Sequence, residues 1–509
     1  MTPPDHDPEA TPKDVPPPGR EARRLLGMLL IASATALALG CLLRQPTMMG
    51  ANDISRWCTV WSLLERGTYV IDECPWHAET QDKVQIPAIP ERIGPDGEPV
   101  KHYYSSKPAL LPTLMAGILY PVRAATGVPL DRVTLQQREP RWSQVPDPDN
   151  PGKVKGVLTT PDQPAKWPVY IFYFKPILIL LNIVPFWGFL LLLSRLLDRH
   201  ARTDWSWAYT LFAAAFGTFL LPYTQTLNNH TIAAFSAFFA LYLFIRIWDD
   251  GAGRPWRFAL LGLLAGFTAT CELPALAFLA ILGLLLIVRF PRPTLAWFTP
   301  AAIAPLVALM ACQYAAFGAF KLAYEEFGTD AYMFEGSLWR TPMELDALNL
   351  PWTDPAEAER RGIVGESYAT YLFHMTLGHH GFWSLSPIFL VAAFGLVGLL
   401  RRRGALSAVA WMNLALTIIL LAFYTWNPKA RNYGGSAQGL RWLFWLIPFW
   451  LLMLPPALDA IASRPWPRRL ATLALFISVM SVGYAMRMPW THPWIQDMME
   501  HLGLYPLPR

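Results

Sequence analysis

The chain has 509 residues, 53% hydrophobic, 13% aromatic and only 16% charged, and its 42 basic against 37 acidic side chains leave a formal charge of +5. Apolar runs of bilayer-crossing length recur from end to end, which excludes an ordinary soluble globular fold and indicates a polytopic membrane protein. The arginines stand in short clusters between apolar runs instead of on one basic face, so nucleic acid is not an expected partner.

Residues 1–24, rich in Pro, Asp, Glu and Lys, read as a disordered tail. Arg20, Arg23 and Arg24 precede the apolar stretch 25–43, which reads as a retained signal-anchor with the tail in the cytoplasm. The clusters Arg195/Arg199/Arg202, Arg246/Arg254/Arg257, Arg289/Arg292, Arg401/Arg402/Arg403 and Arg464/Arg468/Arg469 all fall on that same side under one set of spans. The set is 25–43, 177–194, 205–222, 231–248, 258–271, 275–289, 295–317, 383–400, 406–424, 440–458 and 469–487. The fold class is therefore an all-α polytopic membrane protein of about eleven transmembrane helices, with an external C-terminus. Residues 258–289, an apolar run of about thirty, exceed one crossing and turn near Glu272-Leu273-Pro274. Segment 109–120 has the length, about twelve residues before Pro121, of an interfacial or re-entrant helix.

Four parts follow: the tail 1–24; a transmembrane module 25–320 with a large external loop 44–175; a second external loop 321–382; and a C-terminal module 383–509 with a short external tail. The insertion 127–170, rich in Pro, Asp and Lys, carries no readable motif.

Polar residues gather on the external side. Asn52-Asp53-Ile54-Ser55-Arg56 follows the first span, and Tyr104-Ser105-Ser106-Lys107-Pro108 leads into the interfacial segment. Asp53 is a candidate general base, or alternatively the N-cap of a helix over 54–66. Lys107 is a candidate phosphate ligand, or a snorkelling anchor. Tyr104 and Ser106 donate to the same phosphate or form a turn. Asn427-Pro428-Lys429-Ala430-Arg431-Asn432-Tyr433-Gly434-Gly435, closed by Arg441, puts basic residues in an external loop, against the positive-inside pattern. An anionic ligand held by Lys429, Arg431 and Arg441 explains them; pairing with the phospholipid surface is the other reading. Asn229 and His230, at a span end, line a sugar or acceptor pocket with Arg56 and His102, or act as caps. Glu272, Asp72, Glu73, Asp82 and Lys83 read as solvated loop charges.

Most of the ten histidines fall outside, without metal-ligand spacing, so no metal site is expected, although a divalent cation remains an option. Cys58 and Cys74 share the first external loop and can pair in an oxidising compartment.

Asn52-Asp53 behind the first helix and Tyr104-Ser105-Ser106-Lys107-Pro108-Ala109-Leu110-Leu111 before an interfacial helix resemble the GT-C membrane glycosyltransferases. The likeness is to the branch holding the lipid A aminoarabinose transferases and the protein O-mannosyltransferase relatives. Its layout covers about residues 25–320, whereas the motif itself is short. In that family an acidic residue early in the first external loop is catalytic and a Lys-Pro-Pro-Leu-like segment follows; here Lys107-Pro108-Ala109-Leu110 lacks the second proline, and one acidic residue stands where many relatives carry two. The resemblance implies an inverting glycosyltransferase, using a polyprenyl-phosphate-linked sugar as donor and an unidentified glycan, lipid or protein as acceptor, in the cytoplasmic membrane. Such a donor carries its own leaving group, so the reaction needs a base for the acceptor and positive charge for the departing phosphate. The alternative is a polytopic transporter or lipid-linked-sugar flippase, which calls for charges inside the spans, where this sequence has few.

Overall fold

The computed structural model describes residues 18–45, 48–136, 141–146, 154–159, 165–251, 253–326, 329–337, 367–426 and 433–504. Helices dominate it. Five are long and apolar enough to cross a bilayer: Glu21–Arg44, Ile171–His200, Asn229–Asp250, Pro291–Phe317 and Ala405–Trp426. Arg441–Leu452 and Leu454–Ile461, bent by 43° at their junction, together qualify as a sixth. The other expected spans are helical but short, broken or led by arginines. Region 205–222 divides into Asp204–Phe216 and Leu220–Tyr223, 383–400 contributes Ile388–Leu400, and Pro465–Ala485 opens with Arg468 and Arg469. Pro255–Cys271 and Leu276–Arg289 are separated at Glu272–Ala275, where a hairpin was expected. Length and composition among the described residues thus support five or six full spans, fewer than eleven.

Asn229–Asp250 is the central helix, 78% buried along its apolar stretch, whereas Pro291–Phe317 is only 22% buried. Such outer helices expose Val307, Phe394, Ile418 and Phe476, as a lipid-facing surface requires. Gly262 and Gly266 allow a close helix approach: a Cβ on either would collide with the carbonyl oxygens of Phe298 and Ala302. Small residues at such spacing let helices pack in lipid without a hydrophobic driving force.

Within this mostly helical fold the first external loop also contains strands, which the all-α fold class did not anticipate. Strands β1 (Lys83–Pro87) and β2 (Lys101–Ser105) pair antiparallel, with Val84 opposite Tyr104. In the insertion 127–170, β3 (Val133–Gln136) pairs with β6 (Ala165–Pro168), and β4 (Arg141–Pro146) pairs with β5 (Val154–Thr159). Hairpins suit an aqueous loop, whose edges water can satisfy. Helix α2 (Ala51–Glu65) lies against the β1–β2 hairpin and against α3 (Leu110–Thr126). Arg123 clamps Glu65 with two hydrogen bonds, 2.7 and 2.8 Å, joining their C-terminal ends. Helix α3 runs through Pro121 instead of stopping there, ending at Gly127 in the left-handed conformation. Its exposed Leu114, Ile118, Tyr120 and Val122 form the apolar face expected of an interfacial helix.

The two ends of the bundle differ. At one, Arg23 pairs with Asp204 (2.6 Å), Asp250 accepts from Arg246 and Arg257, and Asp459 accepts from the Arg202 and Thr203 amides. At the other, α2, the β1–β2 hairpin, the start of Asn229–Asp250, Glu272, Arg441 and the segment around Trp490 converge.

Candidate active site

Helix α2 starts after Gly50, whose extended backbone supplies no side-chain cap. Asp53 therefore is not the N-cap; it lies in the first turn and its Oδ2 accepts from the Met49 amide at 3.4 Å. The carboxylate is 0% exposed. Its Oδ1 accepts from the Trp490 indole at 3.2 Å, a contact between positions 437 residues apart. Burial pushes its pKa up to about 6, against the pull of the Leu227 and Met49 amides, the Arg56 charge and the Trp490 N–H. Gly50 is required by that tryptophan: a Cβ there would stand 2.9 Å from Trp490 Cδ1.

One turn further along α2, buried Arg56 donates to Asn52 Oδ1 (3.1 Å), to the Leu227 carbonyl (3.4 Å) and to Asn229 Oδ1 (2.5 Å). Asn229 passes the chain on to Glu272 (2.6 Å), whose carboxylate also meets His230 Nδ1. Asn228 is the true cap, accepting from the Thr231 amide at 2.9 Å, which leaves Asn229 and His230 for the site. Their loop is held by buried Asn182, which donates to the carbonyls of Thr224 and Thr226 from a π-helical turn, Ile179–Ile183.

The two motifs, fifty residues apart, are in contact. Ser55 Oγ and Ser105 Oγ share a hydrogen bond of 2.6 Å, Ser55 donates to the Asp82 carbonyl, and the Lys107 amide donates to Ser105 Oγ. Lys107 Nζ pairs with Asp82 Oδ1 at 2.9 Å, the side chains 19% and 17% exposed. Burial draws the Lys107 pKa down, opposed by Asp82. Burial also works against ionised Asp82, but Lys107, then Arg441 and Arg56, outweigh it and hold its pKa below the usual value. Neither Asp82 nor Glu272 is the solvated loop charge expected of it.

Arg441 opens the 3-10 helix Arg441–Leu446 and lies over the Trp490 ring at 5.2 Å. Its Nε is buried without a hydrogen-bond partner among the described residues. Lys429 and Arg431 lie outside the described residues. Gln438 secures the Trp490 segment through Thr491 Oγ1 and the His492 carbonyl (2.6 and 2.7 Å), while Tyr223 donates to the Pro489 carbonyl.

Two expected site residues are elsewhere. Tyr104 packs on Phe317, ring centroids 5.2 Å apart, because alternate residues of β2 face opposite ways and Ser105 takes the side toward α2. His102 pairs with Asp72 at 2.7 Å on the hairpin's other face. Ser106 is buried and anchored by its backbone, which donates to the Asp82 carbonyl. Asp82 and Glu272 read as solvated charges because they sit near turns, and nothing in the sequence links Trp490 to α2. No His, Cys, Asp and Glu group suited to a metal ion occurs among the described residues. Cys58 and Cys74 are free, buried thiols, and burial followed by the hydrogen bond with Cys74 raises the Cys58 pKa well above its ordinary value.

The arrangement is a largely buried cluster of Asp53, Asp82 and Glu272 with Arg56, Lys107 and Arg441. No protein-family model matches the chain, and no curated protein matches it. What this cluster can do chemically rests on its own residues: a buried carboxylate whose pKa burial raises to about 6, in one cluster with three cations.

Proposed function

We propose that the protein is an inverting glycosyltransferase of GT-C type, moving a sugar from a polyprenyl-phosphate donor to an acceptor at the outer face of the cytoplasmic membrane. In this reading the N-terminus is cytoplasmic, and the end of the bundle carrying Asp53 is external. The acceptor hydroxyl gives its proton to Asp53 as its oxygen bonds to the anomeric carbon. The bond from that carbon to the phosphate oxygen breaks, and the electron pair leaves with the phosphate. Lys107 and Arg441 receive the anion, joined by Lys429 and Arg431 of the same loop; Arg56, Asn229 and His230 hold the sugar.

The observation that carries the reading is a wholly buried carboxylate, Asp53, linked through Trp490 to Arg441, whose buried Nε has no described partner; burial raises the Asp53 pKa to about 6. A base poised near the working pH is what general-base chemistry needs. A buried guanidinium donor with no acceptor costs free energy unless a ligand supplies one. The test is transfer of labelled sugar from polyprenyl-phosphate lipid by purified protein in liposomes. Glycosylated product, lost on Asp53→Asn, supports the reading. Movement of lipid-linked sugar across the bilayer without product indicates a flippase, and binding without turnover a donor-binding protein; either refutes it.

A further inference from the structure

The arginine-rich end carries a groove of about 710 Å³ between α1 (Pro18–Arg44) and the helix Ile171–His200, closed on one side by Trp207. Toward the helix ends its lining is Arg23, Arg24, Arg195 and Arg199, and deeper in the bilayer direction it is Gly27, Met28, Ile31 and Leu191. Gly27 lets the Trp207 ring lie against α1, since a Cβ there would stand 3.1 Å from Cη2. Of the nearby acids, Asp204 holds Arg23 Nε at 2.6 Å, while Asp198, itself in the lining, accepts from the uncharged Trp207 indole at 2.8 Å, so three unpaired arginines face one carboxylate. Arg24, Arg195 and Arg199 are exposed and form no ion pair among the described residues.

The positive-inside rule accounts for arginines at this end, but not for their convergence from two helices on one groove with an apolar floor. We infer that the groove binds an anionic phospholipid of the adjacent leaflet. Arg24, Arg195 and Arg199 hold the phosphate, and Met28, Ile31 and Leu191 take the first part of the acyl chains. Arginine suits this task because its planar fork meets two phosphate oxygens at once. Trp207, 2% exposed and with its indole N–H turned to Asp198, forms the closed wall of the groove. This site lies at the opposite end of the bundle from Asp53 and is independent of the transfer reaction proposed above.

The experiment uses the full chain in nanodiscs of equimolar phosphatidylcholine and phosphatidylglycerol, with retained lipids counted by native mass spectrometry. Wild-type protein is expected to retain phosphatidylglycerol selectively. Each arginine near an anionic surface contributes about fivefold in affinity, so the Arg24→Gln/Arg195→Gln/Arg199→Gln variant should lose that selectivity by more than about tenfold. The corresponding triple Arg→Lys variant, which keeps the charge, should retain most of it. Arg401→Gln/Arg402→Gln/Arg403→Gln, a control at an exposed arginine cluster away from the groove, should behave as wild type. Equal retention of the two lipids by wild type, equal losses in both glutamine variants, or complete loss in the lysine variant would each overturn the assignment.

Discussion

Asp53→Asn separates the stability of the site from its chemistry. The substitution keeps the side chain's shape and removes its charge. The carboxyl pKa is about 6 in the folded protein against an ordinary 3.8, chiefly through burial. Two pH units at about 1.4 kcal/mol each mean that ionised Asp53 opposes folding by about 3 kcal/mol at alkaline pH. The sign follows from proton counting: between about pH 4 and pH 6 the folded protein keeps a proton that the unfolded chain has released, so this group's contribution to stability falls as pH rises. Asn has nothing to titrate there. It also faces the Met49 and Leu227 amides with one acceptor fewer, a loss of about 1–3 kcal/mol that does not depend on pH. The stability of the variant relative to wild type should therefore climb by about 2 kcal/mol from pH 4 to pH 8, whatever its starting value. Unfolding in detergent at pH 4, 6 and 8 reads this directly. Sugar transfer at pH 8 should fall by about 10²–10⁴-fold in the same variant. Parallel pH profiles for the two proteins would refute the buried titrating carboxylate, and undiminished transfer would remove Asp53 as the base.

Other perturbations bear on the cluster around it. Lys107→Met and Asp82→Asn each leave a half-buried charge without its 2.9 Å partner and should cost about 3 kcal/mol, whereas the double variant should recover at least about 1 kcal/mol of the summed loss. Strictly additive unfolding free energies would contradict the pairing. Gly50→Ala drives a methyl group into the Trp490 ring and should destabilise by about 1–3 kcal/mol, with transfer reduced through the displaced indole; an unchanged melting midpoint would contradict the close approach. Trp490→Phe removes one donor that lowers the Asp53 pKa, so the acidic limb of the pH–activity profile should move up, by at most about 1 pH unit. A limb that stays put or moves down would sever Trp490 from Asp53.

Membrane class, the early carboxylate and the lysine before an interfacial helix were legible because each is written locally, in runs of apolar residues and short motifs. The Ser55–Ser105 contact, the Asp82 partner of Lys107 and the Arg56–Asn229–Glu272 chain were not, since they depend on how separate segments stack at one end of the bundle. Trp490 lies 437 positions from Asp53, and no periodicity reports such a contact. Tyr104 lies away from Lys107 for a simpler reason: its segment, read as phosphate donors or a turn, is a strand, and its two-residue alternation sends Tyr104 to Phe317 and Ser105 to α2. The broken helices at Gly217–Phe219 and Glu272–Ala275 read as continuous or turned apolar sequence, and hydropathy does not say how many such pieces reach both faces of a bilayer.

Transfer of labelled sugar from polyprenyl-phosphate lipid by purified protein in liposomes, with Asp53→Asn in parallel, is the most direct test of the central claim. A glycosylated acceptor with the anomeric configuration inverted relative to the donor is expected, with near-complete loss in the variant. Translocation of the lipid-linked sugar without any glycosylated product, equal in wild type and variant, would contradict it.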